Sequence, residues 1–205
     1  RLRTVTGVQT CALPIFENNP DPSTREYLNK KYCPAITEDI IKGFDEGALL
    51  VQYIGHGGNQ LWSHERIFYG TNRSYSDVRR LAPTDRFSFI MNWSCLTGYL
   101  NFNIPPFNVC LAEEFLRFED KGGIAIWAPS GGGSTEYHMV LLHLNVRNLL
   151  EANMPRFGEA TTQAKIEFLL KNSTPDITKQ YILFGDPGVA IGRPGEQLEL
   201  VCNQE

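Results

Sequence analysis

The chain has 205 residues, 42% of them hydrophobic, and a formal net charge of −4. That is enough for one sizeable core, offers no basic footprint for nucleic acid or an anionic membrane surface, and includes no apolar run near the roughly 20 residues of a membrane span. The five cysteines, at positions 11, 33, 95, 110 and 202, form no Cys-x-x-Cys pair, which argues against a zinc ribbon or a thioredoxin-type centre. With this much aliphatic sequence a disulfide scaffold is not expected either.

Residues 1–15 differ from the rest of the chain. They show neither hydrophobic periodicity nor a charged-then-apolar leader pattern. Val5 to Ile15 resembles a translated sequencing-adapter scar, so 1–15 is set aside as non-native and the chain is expected to be truncated at its amino end. The domain proper is expected over 16–192, with 193–205 a linker or the start of a following domain. Residues 17–34 are rich in Asn, Pro, Asp and Lys and read as a surface loop with a short helix near 25–30. Thr37 is placed to cap a helix, with Ile36 and Ile41 at its staple positions; that helix should end near Gly43–Gly47.

The first strand is expected at Ala48–Ile54, an apolar run that stops at Gly55-His56-Gly57-Gly58. A short helix is expected at Tyr75–Leu81, closed by Pro83. Phe87–Met91 is a second buried-looking strand, leading to Cys95-Leu96-Thr97-Gly98. Asn108 is placed to cap a helix with Val109, Ala112 and Leu116 on one face, ending at Lys121-Gly122-Gly123. Gly123–Ala128 is a third strand and ends in the small-residue loop Pro129–Thr135. Helices are expected at Glu136–Asn153 and Gly158–Lys171, then a strand from Tyr181 closed by the Asp186-Pro187-Gly188 turn. Alternating strands and helices indicate a three-layer α/β domain with a mainly parallel sheet.

In such a sheet ligands bind at the carboxyl ends of the strands. Cys95 and His56 both stand just past strand ends, and neighbouring strands would bring them face to face. Glycines around His56 allow backbone to approach a ligand, and the amides of Gly57 and Cys95 could both point at a developing oxyanion. A thiol nucleophile, an imidazole and two amide donors make up an acyl-transfer set. The other candidates read more plainly. Gly131–Thr135 lacks the Lys-Ser/Thr of a phosphate loop, and His138 and His143 are five residues apart with no zincin glutamate. His64 reads as surface, Cys110 as core, and Asp186 as a turn residue.

Together, Gly55-His56-Gly57-Gly58 with Trp62, Cys95-Leu96-Thr97-Gly98, the stretch Cys110–Arg117, Gly122–Ile126, Phe157-Gly158-Glu159 and Leu183–Pro187 resemble the gingipain family, peptidase family C25. The resemblance spans about residues 48–191. It implies a caspase-like domain lacking its first strands, and a secreted or cell-surface bacterial cysteine endopeptidase acting on polypeptides. Cys95 is then the nucleophile, His56 the general acid/base, and Gly57 and Cys95 the oxyanion donors. Trp127, Ser130 and Gly131 fall on the family's pocket wall, with Trp127 either a lid over the substrate side chain or simply core. The chemistry needs no cofactor. A structural calcium ion is compatible with the resemblance, but no residues are assignable to it. His56 and Cys95 are 39 residues apart and Asn92-Trp93-Ser94 precedes the cysteine, which departs from the caspase pattern of about 50 residues and Gln-Ala-Cys-x-Gly. The acidic partner of the histidine has no match, since neither Glu17 nor Asp21 is assignable to it. The competing readings are a transpeptidase like the sortase of type IX secretion, and a non-catalytic interaction module on the same fold.

Overall fold

The computed structural model describes residues 17–18, 31–32, 34–70, 76–101, 109–172 and 176–192. The expected helix at 25–30, the Asn108 cap and the segments 1–15 and 193–205 lie outside those residues. In chain order the elements are β1 (Glu17–Asn18), β2 (Lys31–Tyr32), α1 (Pro34–Asp45), β3 (Leu50–Ile54), β4 (Gly57–Gly58), β5 (Leu61–Trp62), β6 (Phe68–Tyr69), α2 (Asp77–Arg80) and β7 (Ser88–Trp93). There follow α3 (Leu111–Leu116), β8 (Gly123–Pro129), α4 (Thr135–Leu150), α5 (Phe157–Lys171), α6 (Asp176–Gln180) and β9 (Tyr181–Gly185).

The main sheet has the order β3-β7-β8-β9. β3, β7 and β8 run parallel and β9 runs antiparallel on β8, so the sheet is mainly parallel as expected. Every residue of β7 is buried, as a central strand covered on both faces requires. Alternation then sorts the core into two halves. Phe89, Met91, Trp93, Ala125 and Trp127 pack with Leu141, Leu144, Phe157 and Phe168 of α4 and α5. Ile90, Ile126 and Ala128 pack on the other side with Phe44, Val78, Leu111 and Phe115 of α1, α2 and α3. These are the three layers of an α/β sandwich.

Helices α1 and α3 differ from expectation at their boundaries. α1 starts at Pro34 and buries Thr37 within it, because proline's fixed φ and missing N–H suit the first helical position. α3 is only six residues long and ends at Leu116. The chain then turns back, and Gly122 at φ +87° lies so close that a Cβ there would be 2.1 Å from the Phe115 carbonyl oxygen. Cys110, not Asn108, stands at the cap of α3, where its amide donates to Glu113 Oε2 at 2.8 Å.

Candidate active site

The β3–β7 register decides the site. Ile54 pairs with Trp93, and the Gly55 amide still donates to the Trp93 carbonyl at 3.3 Å. His56 and Cys95 each come two residues after that last pair. Both therefore stand at the carboxyl ends of adjacent parallel strands, where an open α/β sheet places its chemistry.

Each side of the pair has its own support. His56 enters a three-stranded antiparallel patch, β4-β5-β6, and its carbonyl accepts hydrogen bonds from the Tyr53 hydroxyl at 2.6 Å and the Ser63 amide at 2.8 Å. Burial pushes the Tyr53 hydroxyl far above its ordinary pKa, so it stays protonated as the donor. The imidazole is exposed and stacks on His64 at 5.4 Å between centroids. His64, read from sequence as an ordinary surface residue, is thus a neighbour of the candidate base.

On the other strand, Cys95 is half-buried and free, whereas Cys110 is buried and free. Burial, the largest cause, pushes the Cys110 thiol up to about 12, which leaves it protonated and unreactive at neutral pH. Leu96 follows Cys95 at φ +63°, a left-handed conformation uncommon outside glycine. It is held there by two bonds to the loop after β8: the Leu96 amide donates to Gly131 at 3.1 Å and the Gly98 amide to Pro129 at 2.8 Å.

Asn59 ties the two halves together. Its Nδ2 donates to the Tyr99 carbonyl at 2.8 Å, and its own carbonyl accepts from the Leu111 amide at 2.7 Å. The hairpin carrying His56 and the loop carrying Cys95 therefore share one anchor. Gly57 lies against the cysteine loop, so that a Cβ on it would be 2.6 Å from Ser94 Oγ and 2.9 Å from the Cys95 carbonyl oxygen. Gly57→Ala is expected to lower the melting temperature by several degrees, as overpacking costs about 1–3 kcal/mol. It should also change the rate at which iodoacetamide labels Cys95. An unchanged melt and an unchanged rate would contradict this close approach.

Of the three residues assigned to a pocket wall, Trp127 is corrected. It is fully buried, edge-on to Trp93 at 5.1 Å and 5.0 Å from Tyr181, so it is core and cannot cover a substrate from the surface. Ser130 is half-buried, and its amide and hydroxyl both donate to the Gln180 carbonyl, at 2.8 and 2.9 Å. It anchors the loop. Gly131 holds Leu96 through its carbonyl. Neither Asn59 nor Gln180 carries a motif, and only the fold reveals them. Asp186 accepts from the Gly188 amide at 2.7 Å. β9 runs antiparallel, so this turn lies at the opposite end of the sheet from Cys95. A cleft of about 630 Å³ lies there too, lined by Met154, Gly158, Pro187 and neighbours. Among the described residues no cluster of three His, Cys, Asp or Glu could hold a metal, and no helix is long and apolar enough to cross a membrane.

The model of peptidase family C25 matches residues 9–191, a span that begins within the segment 1–15 set aside as non-native. Gingipain R2 of Porphyromonas gingivalis is 26% identical over 177 residues, covering 79% of this chain and 22% of its own length. Gingipain R1 of the same species is also 26% identical over 177 residues, covering 79% of this chain and 16% of its own. Among solved structures, the Arg-specific cysteine proteinase gingipain R has a TM-score of 0.65 at 25% identity, over 76% of this chain and 36% of that one. A complex of gingipain pro- and mature domains from P. gingivalis gives 0.65 at 24% identity, over 76% and 37%. The chain thus spans about a fifth of the length of these curated relatives and about a third of the solved ones. Its α/β fold is caspase-like, and, matched across nearly all its described residues, the chain belongs to peptidase family C25.

Proposed function

We propose that this chain carries the reaction centre of a cysteine endopeptidase, with Cys95 the nucleophile and His56 its general acid/base. The observation that carries the reading is that β3 and β7 pair in parallel up to Ile54 and Trp93, two residues before His56 and Cys95, and that Gly57, next to His56, lies against Ser94 and the Cys95 carbonyl. The thiol proton passes to His56, and the sulfur attacks the carbonyl carbon of a peptide bond. The amides of Gly57 and Cys95 would bind the oxyanion, the interaction that usually contributes most in acyl transfer. His56 then returns the proton to the departing amine as the C–N bond breaks, leaving a thioester. Water, deprotonated by His56, hydrolyses the thioester, releasing the carboxylate product and restoring the thiol. No cofactor takes part.

The substrate in this reading is a polypeptide, and an extracellular or cell-surface place in a bacterium belongs to the same proposal. One solved relative is described as Arg-specific, so arginine is the first side chain to test beside the scissile bond, with leucine as the uncharged comparison. The test is labelling. Cys95 is expected to react with iodoacetamide and with an Ala-Ala-Arg or Ala-Ala-Leu chloromethyl ketone faster than any other thiol. Peptide mapping that finds Cys33 or Cys202 labelled first, with Cys95 inert, would overturn the reading.

A further inference from the structure

Beneath the loop that follows β8 lies a buried polar pair that the Cys–His chemistry does not use. Tyr181 opens β9 opposite Pro129, and its hydroxyl is hydrogen-bonded to His138 Nδ1 on α4. The two side chains are 1% and 3% exposed. Trp93 and Trp127 wall the tyrosine ring at 5.4 and 5.0 Å, and Lys165 Nζ donates to the Tyr181 carbonyl at 2.6 Å. Burial lowers the pKa of His138. Burial first, and then the charge on Cys95, holds Tyr181 well above its usual range. The imidazole is therefore neutral and the phenol protonated at neutral pH, so Tyr181 donates to Nδ1 and the ring's own proton sits on Nε2.

That Nε2 is buried and makes no hydrogen bond of good geometry, but it faces the Gly133 backbone, which partly offsets the effect of burial by favouring the ring's proton. It lies against the loop. A Cβ on Gly133 would be 2.9 Å from Nε2, and a Cβ on Gly131 would be 2.7 Å from Gln180 Cδ. On the loop's other side, a Cβ on Gly132 would be 4.0 Å from Cys95 Sγ. The end of β8 and this loop supply the Pro129 and Gly131 carbonyls that hold the Gly98 and Leu96 amides, and with them the left-handed turn at Leu96. A continuous line of contacts thus runs from the buried pair, through three glycines, to the backbone beside the sulfur.

We propose that Tyr181 and His138 are positioning residues that seat the Ser130–Gly133 loop so that the Cys95 amide is aimed at the oxyanion. The proposal rests on the reading of Cys95 as nucleophile. The pair touches no substrate. It acts by fixing a loop whose glycines leave no side chain of their own to hold it in place. Apolar side chains of the same size would fill the volume but would not fix the imidazole under Gly133.

Two thiol probes separate positioning from packing. Iodoacetamide reacts at a saturated carbon, where the sulfur displaces iodide without using an oxyanion site. A peptidyl chloromethyl ketone first presents its ketone oxygen to that site, and the sulfur then displaces chloride to leave a thioether. With the faster of the two chloromethyl ketones, Tyr181→Phe and His138→Leu are expected to lower the second-order rate constant at Cys95 about tenfold or more, as small misplacements at a reacting centre do. The iodoacetamide rate constant should stay within twofold. His138→Gln, whose side-chain amide reaches where Nε2 stood beneath Gly133, should recover part of the loss. Thermal melts run alongside show that each variant is folded at the assay temperature, so that the rate constants compared are those of the folded protein. Unaltered chloromethyl ketone rates in the variants, or equal slowing with both probes, overturn the proposal while leaving the nucleophile in place. Absence of selective labelling of Cys95 in the unmodified protein overturns the nucleophile reading, and this proposal with it.

Discussion

Cys95→Ala is expected to abolish peptide cleavage, lowering kcat/KM by about 1,000-fold or more, while substrate binding is largely kept. In the proposed reaction the sulfur forms the covalent bond to the substrate, whereas backbone amides would bind the ground state. His56→Ala should fall nearly as far. The double variant should fall little further, because residues that act as one unit give strongly non-additive losses. Thermal melts run alongside distinguish chemistry from folding: His56 is exposed, so its removal should barely move the melt. Near-additive losses, or cleavage that survives either single change, would remove the dyad and favour a non-catalytic module on the same fold.

Phe115→Ala should have the largest effect on stability. Phe115 is fully buried in α3, stacked on Phe68 at 5.1 Å and 7° between planes, with Phe44 at 5.5 Å and Trp62 at 5.7 Å. Truncating such a ring costs about 3–5 kcal/mol, which in a chain of this size is a fall in melting temperature of about 6–20 °C. Trp62 and Phe68 belong to the small sheet that His56 enters, so the cavity opens against that sheet. Cleavage should therefore decline at temperatures below the new melt. Leu170→Ala, at a site 81% exposed, is the control and should change stability by less than about 0.5 kcal/mol. A Phe115→Ala melt no lower than that of the control would contradict this packing.

Much of the site was legible in the sequence because it is written in local pattern. The apolar runs ending at His56 and Cys95 announce strands buried on both faces, and strand ends are where an α/β sheet exposes reactive groups. Asp186-Pro187-Gly188 announces a turn by residue type alone, and the structure shows that turn. Boundaries were less legible. Thr37 looks like a cap but lies inside α1, since Pro34 competes for the helix start and wins. The helix expected to run to Lys121 stops at Leu116, because the chain turns back there to pack on itself.

Other features depended on tertiary structure because they join residues far apart in the chain. Nothing local in Trp127 tells a lid from a core ring; its place between Trp93 and Tyr181 decides it. His138 in α4 and Tyr181 in β9 meet across 43 residues, and Asn59 reaches Tyr99 across 40. Periodicity encodes which face of an element is buried, but not which buried polar atoms will meet once the layers close. The amino-acid sequence by itself determined the layers, the strand ends and the two candidate reactive residues. The parallel pairing of β3 with β7 in one register decided that the strands leading to those residues end side by side, at Ile54 and Trp93, since a slip of one residue would have turned every side chain of β3 to the opposite face.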